Sequence, residues 1–109
     1  MIYLANSFSL QMLDLEKVST VVVTPLSEQE VKGLLASGFV SAVGHQDTAD
    51  ILTNLLGIHI PFNRINVSLT QGDTLVVAQL TGGRLPEGST TLPEGFSIKF
   101  LKVVLVVQL

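Results

Sequence analysis

Short runs of aliphatic and β-branched residues alternate with segments that carry helix start and stop signals. That alternation is the strongest constraint on how the chain can fold. Ile2–Ala5 reads as a short buried strand, and the polar turn Asn6-Ser7-Phe8-Ser9 can cap a short helix through Leu10, Met12 and Leu13. Val18–Thr24 is a β-branched run and reads as a strand that Pro25 is expected to break. Ser27-Glu28-Gln29-Glu30 is a capping box, in which each side chain can satisfy the other residue's backbone N–H. The helix it opens is expected to bury Val31, Leu34 and Leu35 and to end near Ser37-Gly38. Phe39–Val43 is the next strand. Asp47 or Thr48 then caps a helix with the apolar stripe Ile51, Leu52, Leu55 and Leu56, which Gly57 stops.

In the second half, Pro61 and Asn63 mark a connection. Arg64–Thr70 and Thr74–Leu80 read as strands joined in a hairpin by Gln71-Gly72-Asp73. Thr81–Gly95 is a long Gly/Pro loop with an internal echo, Leu85-Pro86-Glu87-Gly88 and Leu92-Pro93-Glu94-Gly95. Two copies do not make a repeat protein. Phe96–Leu109 alternates and then turns almost wholly apolar, as a strand does when it is central or covered by a dimer partner. The order β-α-β-α-β-α-β-β-β predicts one α/β domain over residues 1–109. Its mixed sheet should have about five or six strands flanked by helices, with the early strands parallel.

Composition removes several classes of function. Apolar residues make up 47% of the 109 and charged residues 14%, the reverse of a disordered chain. Six Lys and Arg against nine Asp and Glu argue against long nucleic acid, whose affinity comes largely from phosphate neutralisation. There is no cysteine, hence no disulfide, thiolate ligand or thiol nucleophile. Two histidines cannot build a tetrahedral zinc site without carboxylates. No window reaches the about 18 apolar residues of a membrane span, and Met1–Ala5 lacks the basic start of a signal peptide. A soluble, intracellular domain is expected, with an apolar excess that an oligomer would cover.

Ligands of open α/β sheets gather at the carboxyl ends of parallel strands. Asn6–Ser9, Gly44–Asp47 and Thr81–Gly88 follow strands, so parallel strands would open all three loops on one edge. His45 lies just before a helix, where free N–H groups favour an anion, and imidazole can exchange protons near neutrality. The plainer alternative is a loop histidine with one hydrogen bond. His59, between Ile58 and Ile60, reads as a boundary histidine. Arg84 and Glu87 share a glycine-flanked loop. The guanidinium suits phosphate oxygens and the carboxylate could orient an imidazole, or the two could be an ordinary surface pair. Glu94 has no preceding arginine and reads as structural. Asn6, Ser7 and Ser9 could offer neutral donors to a phosphate or ribose, or serve only as helix caps.

Several short pieces, in order, resemble a small family of archaeal viruses and mobile elements that includes the viral anti-CRISPR ring nucleases. They are Tyr3-Leu4-Ala5-Asn6-Ser7-Phe8-Ser9, Gly44-His45 with Thr48-Ala49, Asn63-Arg64, Gly72-Asp73 and Arg84-Leu85-Pro86-Glu87-Gly88. The resemblance implies an α/β homodimer that binds cyclic tetra-adenylate in the host cytoplasm. It also implies cleavage without metal or other cofactor, to linear di-adenylates with 2′,3′-cyclic phosphate ends, which silences type III CRISPR signalling. On the same ground His45, Arg84, Glu87 and Ser9 would be catalytic, and Asn6, Ser7 and Gln79 would contact the ligand. Two other readings stand beside it: a protein that sequesters the messenger without cutting it, and a dimeric viral adaptor.

Overall fold

Four strands point one way and the last runs against them. The computed structural model describes the whole chain, Met1–Leu109. The strands are β1 (Ile2–Ala5), β2 (Ser19–Leu26), β3 (Val40–Ala42), β4 (Thr74–Thr81) and β5 (Ser97–Gln108). They form one sheet ordered β2-β5-β4-β1-β3. β1 pairs in parallel with β3 on one side and β4 on the other. β5 lies antiparallel between β4 and β2. β5 is therefore central as far as Val103, while Val104–Gln108 pair with β2 alone and leave Val106 and Val107 exposed, so the expectation of a central strand holds for only part of the apolar run.

Strand alternation gives the sheet two apolar faces. On one, Leu4, Val76, Ala78 and Phe100 pack beneath α1 (Glu28–Leu35) and α2 (Gln46–Leu56), against Val31, Leu35, Leu52 and Leu56. Leu4 and Leu52 are fully buried, a gain of about 1.5–3 kcal/mol each. On the other face Ala5, Leu75, Val77 and Val103 meet Val67 and Leu69, with Phe8, Met12 and Leu13 partly buried beside them. The capping box of α1 forms as expected: the Ser27 hydroxyl accepts from Glu30 N, and the Glu30 carboxylate accepts from Ser27 N. The short helix after β1 is a single 3₁₀ turn, Leu10–Met12.

Three expectations need correction. Arg64–Thr70 joins no ladder, so there is no hairpin at Gln71-Gly72-Asp73, and the antiparallel partner of β4 is β5. The segment is held by other bonds instead. Asn63 N donates to Val43 O, the Asn63 amide donates to Ser41 O, the Ser41 hydroxyl donates to Pro61 O, and Leu69 N donates to Met12 O. Pro25 does not break β2, which runs on to Leu26. β2 is an edge strand, where a missing N–H is tolerated. The N-cap of α2 is His45, not Asp47 or Thr48, and its imidazole makes no capping bond.

Asp73 anchors the opposite end of the sheet. Its carboxylate accepts from Thr70 N and Thr70 Oγ1 at 3.0 Å each and pairs with the terminal ammonium at 3.5 Å. Partial burial opposes ionisation, but these partners outweigh it and hold the Asp73 carboxyl below its ordinary value. A depressed folded-state pKa contributes stability that is present above the unfolded aspartate value of ~3.9 and is lost as pH falls through the folded value. Asp73→Asn should therefore cost about 1 kcal/mol near neutrality and show a shallower loss of stability below about pH 4. Urea unfolding of both proteins across that range checks it.

Candidate functional site

β1, β3 and β4 all end on one edge of the sheet, with Ala5 level with Ala42 on one side and Val77 on the other. The three loops marked in the sequence therefore do open together. Asn6 joins two of them: its amide oxygen accepts from Gly44 N at 3.3 Å. Next to Gly44, His45 turns the chain into α2 in an extended conformation (φ −132°, ψ 129°). With no capping duty and an exposed side chain, its imidazole is available at the edge.

His45 lies on the rim between two recesses. The larger, of about 610 Å³, is on the helix side and is lined by His45, Asp47, Thr48, Leu80, Gly83, Arg84, Leu85 and Glu87. Its size falls in the usual range for small-ligand sites, about 300–1,000 Å³. The smaller, of about 220 Å³, is on the opposite side. Asn6, Ser7, Gly44, His45, Arg64 and Asn66 supply its polar lining. The structure thus brings His45, Arg84 and Glu87 around one recess, and His45, Asn6 and Ser7 around the other.

The loop that carries Arg84 and Glu87 is pinched at its base. Gly82 has φ +121°, and a Cβ there would lie 2.7 Å from the Phe96 Cα, so only glycine permits this approach. Within the loop the sequence echo becomes two like turns. Ser89 N donates to Pro86 O and Phe96 N donates to Pro93 O, with Gly88 and Gly95 at positive φ in the third position of each. Glu87 and Glu94 occupy the same place in their turns, but only Glu87 lines the recess. No ion pair joins Arg84, Glu87 and His45 to one another. The two ion pairs of the molecule, Met1 with Asp73 and Lys32 with Glu28, lie elsewhere.

Periodicity places Arg64 at the start of a strand and so gives no sign of its place at the site. The Asn63 bonds to Val43 and Ser41 hold its backbone beside β3. Its stem lies over Gly44, where a Cβ would be 3.4 Å from Arg64 Cγ. The signal that could have found it is Pro61 and Asn63 returning the chain to the edge where β3 ends. A second guanidinium therefore flanks His45 from the side opposite Arg84.

Other marked residues stand apart. The Ser9 hydroxyl caps the 3₁₀ turn by accepting from Gln11 N at 3.2 Å. Ser9 lines a neighbouring groove with Gln11, Asn66 and Ser68, outside the His45–Arg84–Glu87 recess. Gln79 is exposed on β4 opposite Lys99 and lines neither recess. His59 is exposed beside buried Ile60. No three His, Asp or Glu side chains converge as a metal cage would need. No helix is long and apolar enough to cross a membrane.

The arrangement offers a proton donor or acceptor, two planar cations and two carboxylates, Asp47 and Glu87, on one concave edge, and the imidazole and guanidinium groups suit a phosphate ester. Comparison with known proteins leads to viruses of archaea. Uncharacterized protein 26 of Sulfolobus islandicus filamentous virus is 39% identical over 111 residues, covering 95% of this chain and 92% of that protein. Uncharacterized protein ORF117 of Acidianus two-tailed virus is 36% identical over 88 residues, covering 72% of this chain and 74% of that one. Among solved structures, B116 of Sulfolobus turreted icosahedral virus superposes with a TM-score of 0.77 at 26% identity, over 94% of this chain and 97% of that chain. The STIV B116-like family model matches residues 2–98, and the protein belongs to that family.

Proposed function

We propose that this protein is a metal-independent phosphodiesterase that opens cyclic tetra-adenylate into linear di-adenylates with 2′,3′-cyclic phosphate ends. In the host cell of an archaeal virus that activity would silence type III CRISPR signalling. The observation that carries this reading is His45 on a shared rim, with Arg84 and Glu87 on one side and Arg64 and Asn6 on the other. The resemblance of these motifs to the ring nucleases supports the same reading.

The reaction is an internal transesterification. A ribose 2′-oxygen forms a bond to the neighbouring phosphorus and loses its proton to solvent. The bond from phosphorus to the 5′-oxygen breaks, and His45 as imidazolium protonates that leaving oxygen. Arg84 stabilises the charge that builds on the phosphoryl oxygens, where a fixed guanidinium is most useful. Glu87, on the same recess, would orient His45. Asn6 and Ser7 would contact the ligand from the second recess, while the catalytic role that the resemblance gives Ser9 and the contact it gives Gln79 fall outside both recesses. A homodimer matches a cyclic tetranucleotide in two-fold symmetry, and the exposed Val22, Val23, Val106 and Val107 give it apolar surface to cover.

Incubation with cyclic tetra-adenylate in excess chelator, followed by product analysis, tests the activity. Linear di-adenylate with cyclic phosphate ends is expected. Intact ligand recovered from a stable complex would establish sequestration, a reading favoured by the lack of any ion pair between Glu87 and His45. His45→Ala should slow cleavage by about 10²–10⁴-fold with little change in ligand affinity, and an unchanged rate removes His45 as the acid. Arg84→Lys keeps the charge but loses the fork, so single-turnover cleavage should stay impaired. Glu87→Gln should slow single-turnover cleavage if the carboxylate orients His45, and an unchanged rate removes Glu87 from the reaction.

A further inference from the structure

We infer that Asp47 is a positioning residue, whose carboxylate latches the Gly82–Gly95 loop to α2 and so sets where Arg84 and Glu87 stand relative to His45. The inference rests on the phosphodiesterase reading of this recess. The latch itself does not.

Asp47 Oδ2 accepts from Gly88 N at 3.2 Å. Seven residues further along α2, the Asn54 amide donates to Thr90 O at 2.6 Å. Seven residues are two helical turns, so both side chains leave the same face of α2 and the loop lies along it. These are the only hydrogen bonds by which the loop reaches another element. Its remaining bonds, Ser89 to Pro86 and Phe96 to Pro93, are internal turns.

The order of these ties matters. The loop is pinched at Gly82 and next held at Gly88. Arg84 and Glu87 both fall in the short span between the two points. The Asn54 tie comes later, at Thr90, and does not bound that span. Asp47 also lies two residues from His45 at the start of the same helix. The acid and the latch therefore share one rigid body, and the spacing across the recess passes through Asp47. Its charge is favourable to the first turn of α2, at the positive end of the helix dipole, and unfavourable to a phosphodiester in the recess. An acceptor oxygen aimed at Gly88 N is what the position needs, and asparagine supplies one.

Amide hydrogen exchange at Gly88 tests the latch without ligand. In Asp47→Ala the Gly88 amide should exchange about 10-fold faster, as the loss of one hydrogen bond implies, while Asp47→Asn stays near the parent rate. Single-turnover cleavage of cyclic tetra-adenylate tests the positioning. Asp47→Ala should lose up to about 10²-fold in rate with affinity held or improved, and Asp47→Asn should recover most of it. Unchanged exchange at Gly88 in the alanine variant overturns the latch. Faster exchange with an undiminished rate overturns the positioning, as does an asparagine variant as slow as alanine. Should the parent leave the ring intact, the phosphodiesterase reading falls, and Gly88 exchange still decides the latch.

Discussion

The parallel pairing of β1 with both β3 and β4 is the constraint on which everything at the site depends. Parallel neighbours must end on the same edge, so the chain leaves three adjacent strands at one place. β1 contributes Asn6 and Ser7, β3 leads to Gly44 and His45, and β4 leads to Arg84 and Glu87. Had β4 run the other way, its loop would have emerged beside Asp73, at the end of the sheet away from His45. The core pays for this arrangement on both faces, through Leu4, Val76 and Leu52 on one and Leu75, Val77 and Val67 on the other.

The scaffold and the loops are held by different means. Ladders and buried aliphatic side chains fix the strands and helices. The loops depend on single side-chain bonds at the edge: Asn6 to Gly44, Asn63 to Ser41, and Asp47 to Gly88. Such bonds are worth about 0.5–1.5 kcal/mol each. That is enough to choose one geometry and too little to prevent adjustment around a ligand. Function placed on loops that a rigid sheet presents is the general pattern of α/β proteins.

Much of this was legible from residue order, and the failures share a cause. The Ser27–Glu30 capping box and the Gly57 stop act through local chemistry, and both appear in the structure. Arg64–Thr70 carries a strand's alternation because Val67 and Leu69 are buried while their neighbours are exposed. Period-two burial reports one covered face. It does not report whether a backbone ladder exists. The same misreading hid Arg64, whose place depends on Asn63 reaching Ser41 across 22 residues of sequence. Pro25 reads as a break in the sequence because its tolerance depends on β2 lying at the edge, a property of strand order. His45, Arg84 and Glu87 are expected on adjoining loops at one edge, and the parallel pairing of β4 with β1, which residue order leaves open, gives them a common recess.

The paired turns at Pro86 and Pro93 make the loop its own reference system. Glu87 and Glu94 share the same preceding proline, the same following glycine and the same turn hydrogen bond. Any property that belongs to a glutamate in such a turn must appear at both. Whatever distinguishes Glu87 in reactivity is then a direct reading of what the recess adds, with the local backbone already subtracted by the molecule itself.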